Sequence, residues 1–352
     1  MKSRIKVKFT DMWQSFSPFG YGLARYLEEV FPIEYSKNPD FLFFSISNYD
    51  HLNYNCQKIF ITHEAAYPDF RWCDYAVTFA PDINTPRHLQ LPNFAVTIGY
   101  RTMERLAVQH REVTREDLEE KNLFAAYLAS NGKAKVREEI VDKLSEYKEV
   151  TCGGRHRNNI GRIIPPADNL DFLGSAKFVV SCENSIAPGY VTEKIAFALL
   201  SNSIPIYWGD AFVNEIFNPK RFINATHFGS INELCEYVKK VDQDDDLYMD
   251  ILSQPCFHTD TVPDCLRKEA LFDFFDGVFS GKLKSAERPI LSDELYGDIK
   301  GKHRRVIRAP MSDVEANAFK SSRDDYFERR LLETEHSEVL TSIMRRLHDE
   351  RQ

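Results

Sequence analysis

Short apolar runs recur along the chain, with polar turns between them. Residues 4–9 alternate between apolar and polar positions, which predicts a strand, and residues 21–30 show helical spacing. Further apolar runs predict buried strands at 41–46, 58–64 and 75–80. Strands that alternate with helical patterns are typical of βαβ units, so we predict a mostly parallel sheet.

A charged stretch at 109–121 interrupts this pattern, and we interpret it as an interdomain linker or an exposed helix. The alternation then resumes, with strands predicted at 123–130, 149–154, 178–182 and 204–207. Two such regions predict an α/β protein with two Rossmann-like domains that face each other across a cleft. We place the first domain at residues 1–120 and the second at 121–282.

The composition changes after the second domain, where residues 283–352 are predicted to form a charged helical tail at the C-terminus. Residues 324–350 carry apolar side chains at helical spacing, which predicts a helix with one apolar stripe. Acidic and basic residues are mixed along this helix, so we interpret it as an extension that packs on the body or on a second copy. Peripheral contact with a membrane surface is the alternative.

Composition and charge narrow the class of protein. The 352 residues carry a formal net charge of −8, and 43% of them are hydrophobic. This balance is typical of a globular protein and argues against nucleic acid as the main partner. The first residues lack the apolar run of a secretory signal, and no stretch reaches the roughly 18 apolar residues of a membrane span. The seven cysteines include no C-x-x-C pair, so we expect reduced thiols and a cytoplasmic location.

The segment 177–209 combines two apolar runs with a polar loop and a short helical pattern. A strand that ends in a polar loop before a helix is how an open α/β sheet presents a binding site. The loop and the first helical turn carry six side chains suited to a ligand, namely Glu183, Asn184, Tyr190, Thr192, Glu193 and Lys194.

Basic side chains are predicted to gather at the same edge of the second sheet, because they follow the ends of its strands. They are Arg137, Arg155, His156, Arg157 and Lys194. Converging bases suit a diphosphate, and the acids and the amide of the 177–209 segment suit sugar hydroxyls. The chain contains neither G-x-x-x-x-G-K-[ST] nor G-x-G-x-x-G, so the pattern favours a nucleotide sugar. For each residue alone, a helix-start acid, a solvated loop base or a packing aromatic is the alternative.

The sequence FVVSCENSIAPGYVTEKIAFALLSNSIPIYWG resembles the donor-binding signature of the α1,3/4-fucosyltransferases. That signature reads E-N-S, a short insert, Y-[IV]-T-E-K, a helix and a P-[IV] strand. The matching residues are Glu183, Asn184, Ser185, Tyr190, Val191, Thr192, Glu193 and Lys194. Residues 152–161 are similar to the glycine-arginine segment that precedes the signature, and residues 60–79 to a strand and loop of the bacterial members. The resemblance covers about residues 5–280.

The resemblance implies a GT-B architecture, with GDP-fucose held by the C-terminal domain and the acceptor by the N-terminal domain. It assigns Glu193 to the fucose hydroxyls, and Lys194 and Arg137 to the diphosphate. The donor pocket as a whole is predicted to contain Arg137, Arg155, Glu183, Asn184, Tyr190, Thr192, Glu193 and Lys194.

The implied activity is α1,3-fucosyl transfer with inversion, from GDP-fucose to GlcNAc or Glc in an N-acetyllactosamine-type oligosaccharide. The bacterial members decorate surface polysaccharide in the cytoplasm, so peripheral contact at the inner membrane stays open. A GT-B transferase that uses another nucleotide sugar, or a glycan- or nucleotide-binding protein without catalysis, is the alternative. The sequence does not decide the acceptor, the oligomeric state or the choice between α1,3 and α1,4 linkage.

An inverting displacement needs a base for the acceptor hydroxyl and positive charge for the departing GDP. We predict Glu64 as the base, because it ends an apolar run where burial favours a raised carboxyl pKa. His63 is a rival base that we interpret as structural or acceptor-binding, and Trp13 and Tyr67 are predicted acceptor contacts. With bases on the phosphates, we expect neither a metal nor another cofactor. The D-x-D spacing within 242–247 is interpreted as a helix cap in a solvated loop.

Overall fold

The computed structural model describes residues 4–285 except 14–15, 82, 109–112, 131 and 133. The strands are β1 (Ile5–Thr10), β2 (Ile33–Tyr35), β3 (Phe41–Phe44), β4 (Gln57–Ile61), β5 (Tyr75–Thr78), β6 (His88–Gln90), β7 (Leu123–Tyr127), β8 (Val150–Cys152), β9 (Ala176–Cys182), β10 (Ile204–Trp208) and β11 (Ile223–Asn224). The α-helices are α1 (Gly22–Val30), α2 (Asn93–Ile98), α3 (Tyr100–Val108), α4 (Arg115–Glu119), α5 (Lys135–Ser145), α6 (Asn169–Gly174), α7 (Glu193–Leu200), α8 (Val213–Ile216), α9 (Ile231–Gln243), α10 (Asp245–Ser253) and α11 (Lys268–Phe279).

The strands form two sheets, and every strand pair within them is parallel. The first sheet has the order β2-β1-β3-β4-β5-β6 and the second has the order β11-β10-β9-β7-β8. When each sheet is numbered along the chain, both contain the doubly wound order 2-1-3-4-5. In such sheets the connections diverge between strands one and three, and ligands bind at the carboxyl ends of those strands. The predicted α/β class with two parallel sheets is confirmed.

The inner strands β9 and β10 are buried on both faces over most of their length, as parallel sheets covered by helices require. In the second sheet, Phe178 on β9 and Ile204 and Ile206 on β10 have no exposed surface. Helix α7 is almost entirely apolar after its first turn, and Ile195 within it is also fully buried. Because the elements on either side of it are buried, the loop between β9 and α7 has a fixed position at the carboxyl edge of the sheet.

The packing divides the chain at positions that differ from the sequence-based boundaries. One compact unit comprises the residues up to Gly99 together with the described residues from Cys265, and the other comprises Tyr100–Asp264. Helix α11 therefore belongs to the first unit and not to the second. Its Phe272 stacks on Phe31 with ring centroids 5.4 Å apart. The predicted boundaries place these residues in the second domain, because the sequence alone does not say which sheet a helix covers.

The charged stretch at 109–121 contains α4, none of whose residues is buried. Thr114 caps this helix, because its hydroxyl accepts the Asp117 N–H at 3.4 Å while the Asp117 carboxylate accepts the Thr114 N–H at 2.8 Å. This reciprocal capping box is a common start signal for a helix. Of the two interpretations offered for the stretch, the exposed helix is therefore the one observed.

The interpretation of 242–247 as a solvated loop is wrong for Asp242. Helix α9 extends to Gln243, so Asp242 lies on its inner face and is only 7% exposed. Its carboxylate accepts hydrogen bonds from Lys148 Nζ at 2.5 Å and from Tyr147 Oη at 3.0 Å, and Lys177 Nζ lies 2.9 Å away. Asp244 does act as a helix cap, for α10. Across the part of the chain that the structure describes, no group of three His, Cys, Asp or Glu side chains is arranged to hold a metal.

Residues 286–352 lie outside the described residues, so the tail helix at 324–350 stays a prediction. Among the helices described here, none combines the length and the apolar character needed to cross a bilayer.

Candidate functional site

The carboxyl ends of β7 and β9 meet at the point where the connections of the second sheet diverge. Glu183 follows β9 directly, and its N–H donates to the Trp208 carbonyl of β10 at 2.8 Å. Arg137, from the first turn of α5, donates through Nη1 to Asn184 Oδ1 at 3.1 Å. A side chain that follows β7 thus reaches a side chain that follows β9. The structure brings these predicted residues together at the edge where ligands bind such sheets.

Glu183 is a fully buried acid beneath the start of α7. Its carboxylate accepts the Thr192 N–H at 2.7 Å, the Thr192 hydroxyl at 2.6 Å and Lys194 Nζ at 3.2 Å. Burial raises the pKa of Glu183 above its usual range, although the Lys194 ammonium opposes that shift. The predicted contact of Glu183 with a sugar is not what the geometry shows. Its oxygens already hold the N-cap residue of α7 and the lysine beside it.

Lys194 is shared between two buried carboxylates. Its Nζ also lies 3.4 Å from Glu193 Oε1 and donates to the Thr192 hydroxyl at 3.0 Å. Burial by itself would lower the pKa of Lys194, but the charges of Glu193 and Glu183 outweigh it and raise that pKa above its usual range. The ammonium is therefore charged at neutral pH. One ammonium therefore contacts two buried carboxylates at the start of α7.

A second acid, Glu138, interacts with donor groups from three segments at the same edge of the sheet. It accepts the Tyr127 hydroxyl at 2.9 Å, His156 Nε2 at 2.7 Å and Arg157 Nη1 at 3.2 Å, and Arg137 Nε lies 3.8 Å away. Burial alone would raise the pKa of Glu138, but the hydrogen bonds from His156 and Tyr127 lower it below its usual range. Sequence reasoning missed Glu138. The only available signal was an acid directly after Arg137 in the first turn of a helix.

The loop after β8 is shaped by a close approach of two backbones. A Cβ atom at Gly154 would lie 2.2 Å from the Ala129 carbonyl oxygen, so this position admits only glycine. Arg157 adopts a left-handed conformation with φ of 56° and pairs with Asp142 as well as with Glu138. The alternative of a solvated loop base therefore does not describe Arg157. Arg155, at the tip of the loop, is exposed.

Tyr190 and the turn before it are fixed by Asp210 from the next strand-to-helix loop. Asp210 Oδ1 accepts the Gly189 N–H at 2.9 Å, and Gly189 has a left-handed φ of 80°. Tyr190 is 2% exposed, and its N–H donates to the Ala187 carbonyl at 2.9 Å. The turn thus holds the tyrosine next to the start of α7.

In the first unit, Glu64 lies in the turn after β4, because that strand ends at Ile61 rather than at the predicted residue 64. The Glu64 N–H donates to Thr62 Oγ1 at 3.0 Å. The side chain is half-buried, and its carboxylate makes no hydrogen bond or ion pair with the residues that the structure describes. This leaves the carboxylate available to a ligand.

Two of the predicted acceptor residues lie together. The rings of Trp13 and His63 meet edge to face with centroids 4.5 Å apart, and His63 Nδ1 lies 2.8 Å from Thr97 Oγ1. Tyr67 is only 6% exposed, and its ring packs against Phe79. The acceptor role of Tyr67 stays a prediction, and its observed surroundings are those of the core.

A further polar pair, Asp11 and His51, was not predicted from the sequence. Asp11 follows β1 with φ of 54° and accepts His51 Nδ1 at 2.5 Å. The Asp11 carboxylate also accepts the N–H groups of Asp50 and His51 at 2.8 and 2.9 Å. The pair ties the end of β1 to the 3-10 turn that follows β3 at the divergence point of the first sheet. The one sequence feature that could have indicated this pair is an aspartate directly after a predicted strand.

Two family models match the chain in succession. Residues 7–97 match the α-(1,3)-fucosyltransferase FucT N-terminal domain, and residues 118–253 match the C-terminal part of glycosyltransferase family 10, the fucosyltransferases. The chain is 30% identical over 232 residues to α-(1,3)-fucosyltransferase FucT of Helicobacter pylori, covering 58% of this chain and 48% of that protein. It is 44% identical over 68 residues to an α-(1,4)-fucosyltransferase of Arabidopsis thaliana, covering 19% of this chain and 17% of that one. The chain thus spans about half the length of the Helicobacter relative.

Solved structures agree with the fold. A crystal structure of an α1,3-fucosyltransferase with GDP superposes with a TM-score of 0.67 at 25% identity, covering 79% of this chain and 90% of that one. A structure of an α1,3-fucosyltransferase without a named ligand superposes with a TM-score of 0.70 at 24% identity, covering 82% of this chain and 93% of that one. Two parallel α/β sheets of this kind define the GT-B class of glycosyltransferase. Within that class, the chain belongs to the α1,3/4-fucosyltransferases of glycosyltransferase family 10.

Proposed function

We propose that this protein is a fucosyltransferase that moves fucose from GDP-fucose, with inversion, to O3 of GlcNAc or Glc in an N-acetyllactosamine-type oligosaccharide. The observation that carries the proposal is the cluster of Arg137, Asn184, Glu183 and Lys194 at the β7/β9 edge. These side chains fall inside the family match, and they are positioned by buried hydrogen bonds rather than left in solvent. A pre-organised basic cluster of this kind suits a diphosphate.

The donor site has two parts with different tasks. Lys194 and Arg137 supply positive charge to the diphosphate, which supports departure of GDP with the bonding electron pair. Glu193 accepts hydrogen bonds from the fucose hydroxyls, which is compatible with its place in the first turn of α7. Glu183 keeps Lys194 and Thr192 in place from below. The positive charge that a metal would supply comes here from the two basic side chains.

Glu64 acts as the general base in this proposal. Its carboxylate takes the proton of the acceptor hydroxyl, the hydroxyl oxygen bonds to the anomeric carbon, and the bond from that carbon to the phosphate oxygen breaks on the opposite face. The available carboxylate next to His63 supports this role, since a base must be open to its substrate. The edge-to-face pair of Trp13 and His63 offers the acceptor an aromatic surface.

The test is an assay with GDP-fucose and a panel of type 1 and type 2 oligosaccharides, with linkage analysis of the product. Glu64→Gln keeps the shape of the side chain and removes its basicity, so we expect kcat to fall about 1,000-fold. Glu29→Gln, at an exposed position of the same unit, is the matched control and should retain wild-type activity. Full activity in Glu64→Gln would contradict the base assignment. Equal turnover of GDP-mannose by the wild type would contradict the donor assignment.

A further inference from the structure

Glu138 connects three separate segments at the edge of the second sheet. Tyr127 ends β7, Glu138 lies in the first turn of α5, and His156 and Arg157 lie in the loop after β8. The side chains of Tyr127, His156 and Arg157 each donate a hydrogen bond of 3.2 Å or less to the Glu138 carboxylate. Hydrogen bonds to a charged acceptor are stronger and more directional than neutral ones, so this carboxylate fixes the relative positions of the three segments.

The Glu138 carboxylate also lies close to Arg137. Arg137 Nε lies 3.8 Å from Glu138 Oε1, while Nη1 of the same guanidinium donates to Asn184. The guanidinium also lies over the Tyr127 ring, 5.6 Å from its centroid. Arg137 is 4% exposed, so its head is held by these neighbours rather than by water. A displacement of the Glu138 side chain would therefore move the Arg137 guanidinium, both directly and through Tyr127.

We propose that Glu138 is a positioning residue for the nucleotide. It holds Arg137, His156 and Arg157 at one edge so that their N–H groups meet a nucleoside diphosphate in a fixed arrangement. The inference rests on the proposed function, because that function assigns a diphosphate to this edge. Its addition is Glu138, a residue outside the matched signature that holds the already predicted bases His156 and Arg157 of the loop after β8.

The charge balance fits a positioning role. Asp142 and Glu138 together face Arg157, and Glu138 also faces His156. The hydrogen bonds that lower the pKa of Glu138 keep it ionised at neutral pH, so the arrangement persists without ligand. A site that is ordered before its ligand arrives loses less entropy on binding.

The test measures GDP binding by calorimetry and the KM values for GDP-fucose and for the acceptor. Glu138→Gln preserves shape but removes the charge, so we expect the Kd for GDP and the KM for GDP-fucose to rise about tenfold. The acceptor KM should not change, because the acceptor is assigned to the other unit. Glu139→Gln is the matched control, since it makes the same change at the next, exposed residue of α5 and should behave as the wild type.

Glu138→Asp retains the charge on a shorter side chain, and it should recover part of the lost GDP affinity. A purely structural role would lower the melting temperature of Glu138→Gln and leave the GDP affinity of the folded variant unchanged, which would overturn the proposal. If Glu138→Gln does not fold, Tyr127→Phe removes one of the same hydrogen bonds. A two- to threefold loss of GDP affinity is then expected, and unchanged affinity would overturn the proposal. If the wild type itself does not bind GDP, the proposed function fails instead.

Discussion

Strand β9 has a buried acid near each of its ends, and the two acids are satisfied differently. At the amino end, Asp242 pairs with Lys177 and Lys148, and despite burial these lysines hold the pKa of Asp242 below its usual range. At the carboxyl end, Glu183 shares a single lysine with Glu193, and burial raises its pKa.

The difference distinguishes a structural cluster from the proposed binding site. The Asp242 cluster has enough cations to satisfy its buried acid, so it stabilises the fold without further ligands. In the Glu183 cluster, burial opposes the ionised form of Glu183, although Lys194 lies beside it and Arg137 is close to Lys194. Perturbed groups of this kind are typical of functional sites. The comparison leads to opposite expectations for stability and activity at the two ends.

The largest expected effect on stability is at Asp242. Asp242→Asn leaves the largely buried Lys177 facing a neutral amide, while the half-exposed Lys148 can turn to water, so we expect the free energy of unfolding to fall by about 2 kcal/mol. Urea denaturation of the purified variant measures this loss. Asp246→Asn is the control, because Asp246 is exposed and makes only a 3.7 Å contact with Arg115. A loss no greater than that of the control would contradict the structural role of Asp242.

The pH dependence of this loss gives a second check. Since the pKa of Asp242 is lower in the folded chain, its contribution to stability is present above the ordinary aspartate range. That contribution is lost as the pH falls through the lowered value. The difference in the free energy of unfolding between the wild type and Asp242→Asn should therefore become smaller as the pH is lowered. A difference that is constant from pH 7 to pH 3 would show that ionisation of Asp242 is irrelevant to it.

At Glu183 we expect the reverse pattern. Glu183→Gln removes a group whose ionised form is opposed by burial, and Lys194 keeps Glu193 as a partner, so the free energy of unfolding should fall by less than in Asp242→Asn. The variant also loses the charge that positions Lys194, so kcat/KM for GDP-fucose should fall about 100-fold. Chemical denaturation measures the free energy of unfolding, and steady-state kinetics on the same preparation measures kcat/KM for GDP-fucose. A variant that is strongly destabilised yet fully active when folded would contradict this assignment.

Much of this arrangement could be predicted from the sequence, because most of the strands are apolar runs bounded by polar turns, although the short strands β2, β6 and β11 were not predicted. The segment from Glu183 to Lys194 could also be identified, since a strand, a polar loop and a helix start follow one another without interruption. The partners of Asp242 could not be predicted, because Lys148 and Lys177 are distant in sequence and look like surface lysines. Glu138 was missed for a similar reason. Its role depends on Tyr127 and His156, which only the folding of two strands brings to it.

The most direct test of the central claim compares Lys177 of β9 with Lys194 in the first turn of α7. Lys194→Met and Lys177→Met make the same change at opposite ends of one sheet, and calorimetry measures the affinity of each variant for GDP. If the carboxyl end binds the diphosphate, Lys194→Met should weaken GDP binding about tenfold while Lys177→Met retains the wild-type Kd. Equal GDP affinity in Lys194→Met and the wild type, or a comparable loss in Lys177→Met, would contradict the claim that the carboxyl end of this sheet is the donor site.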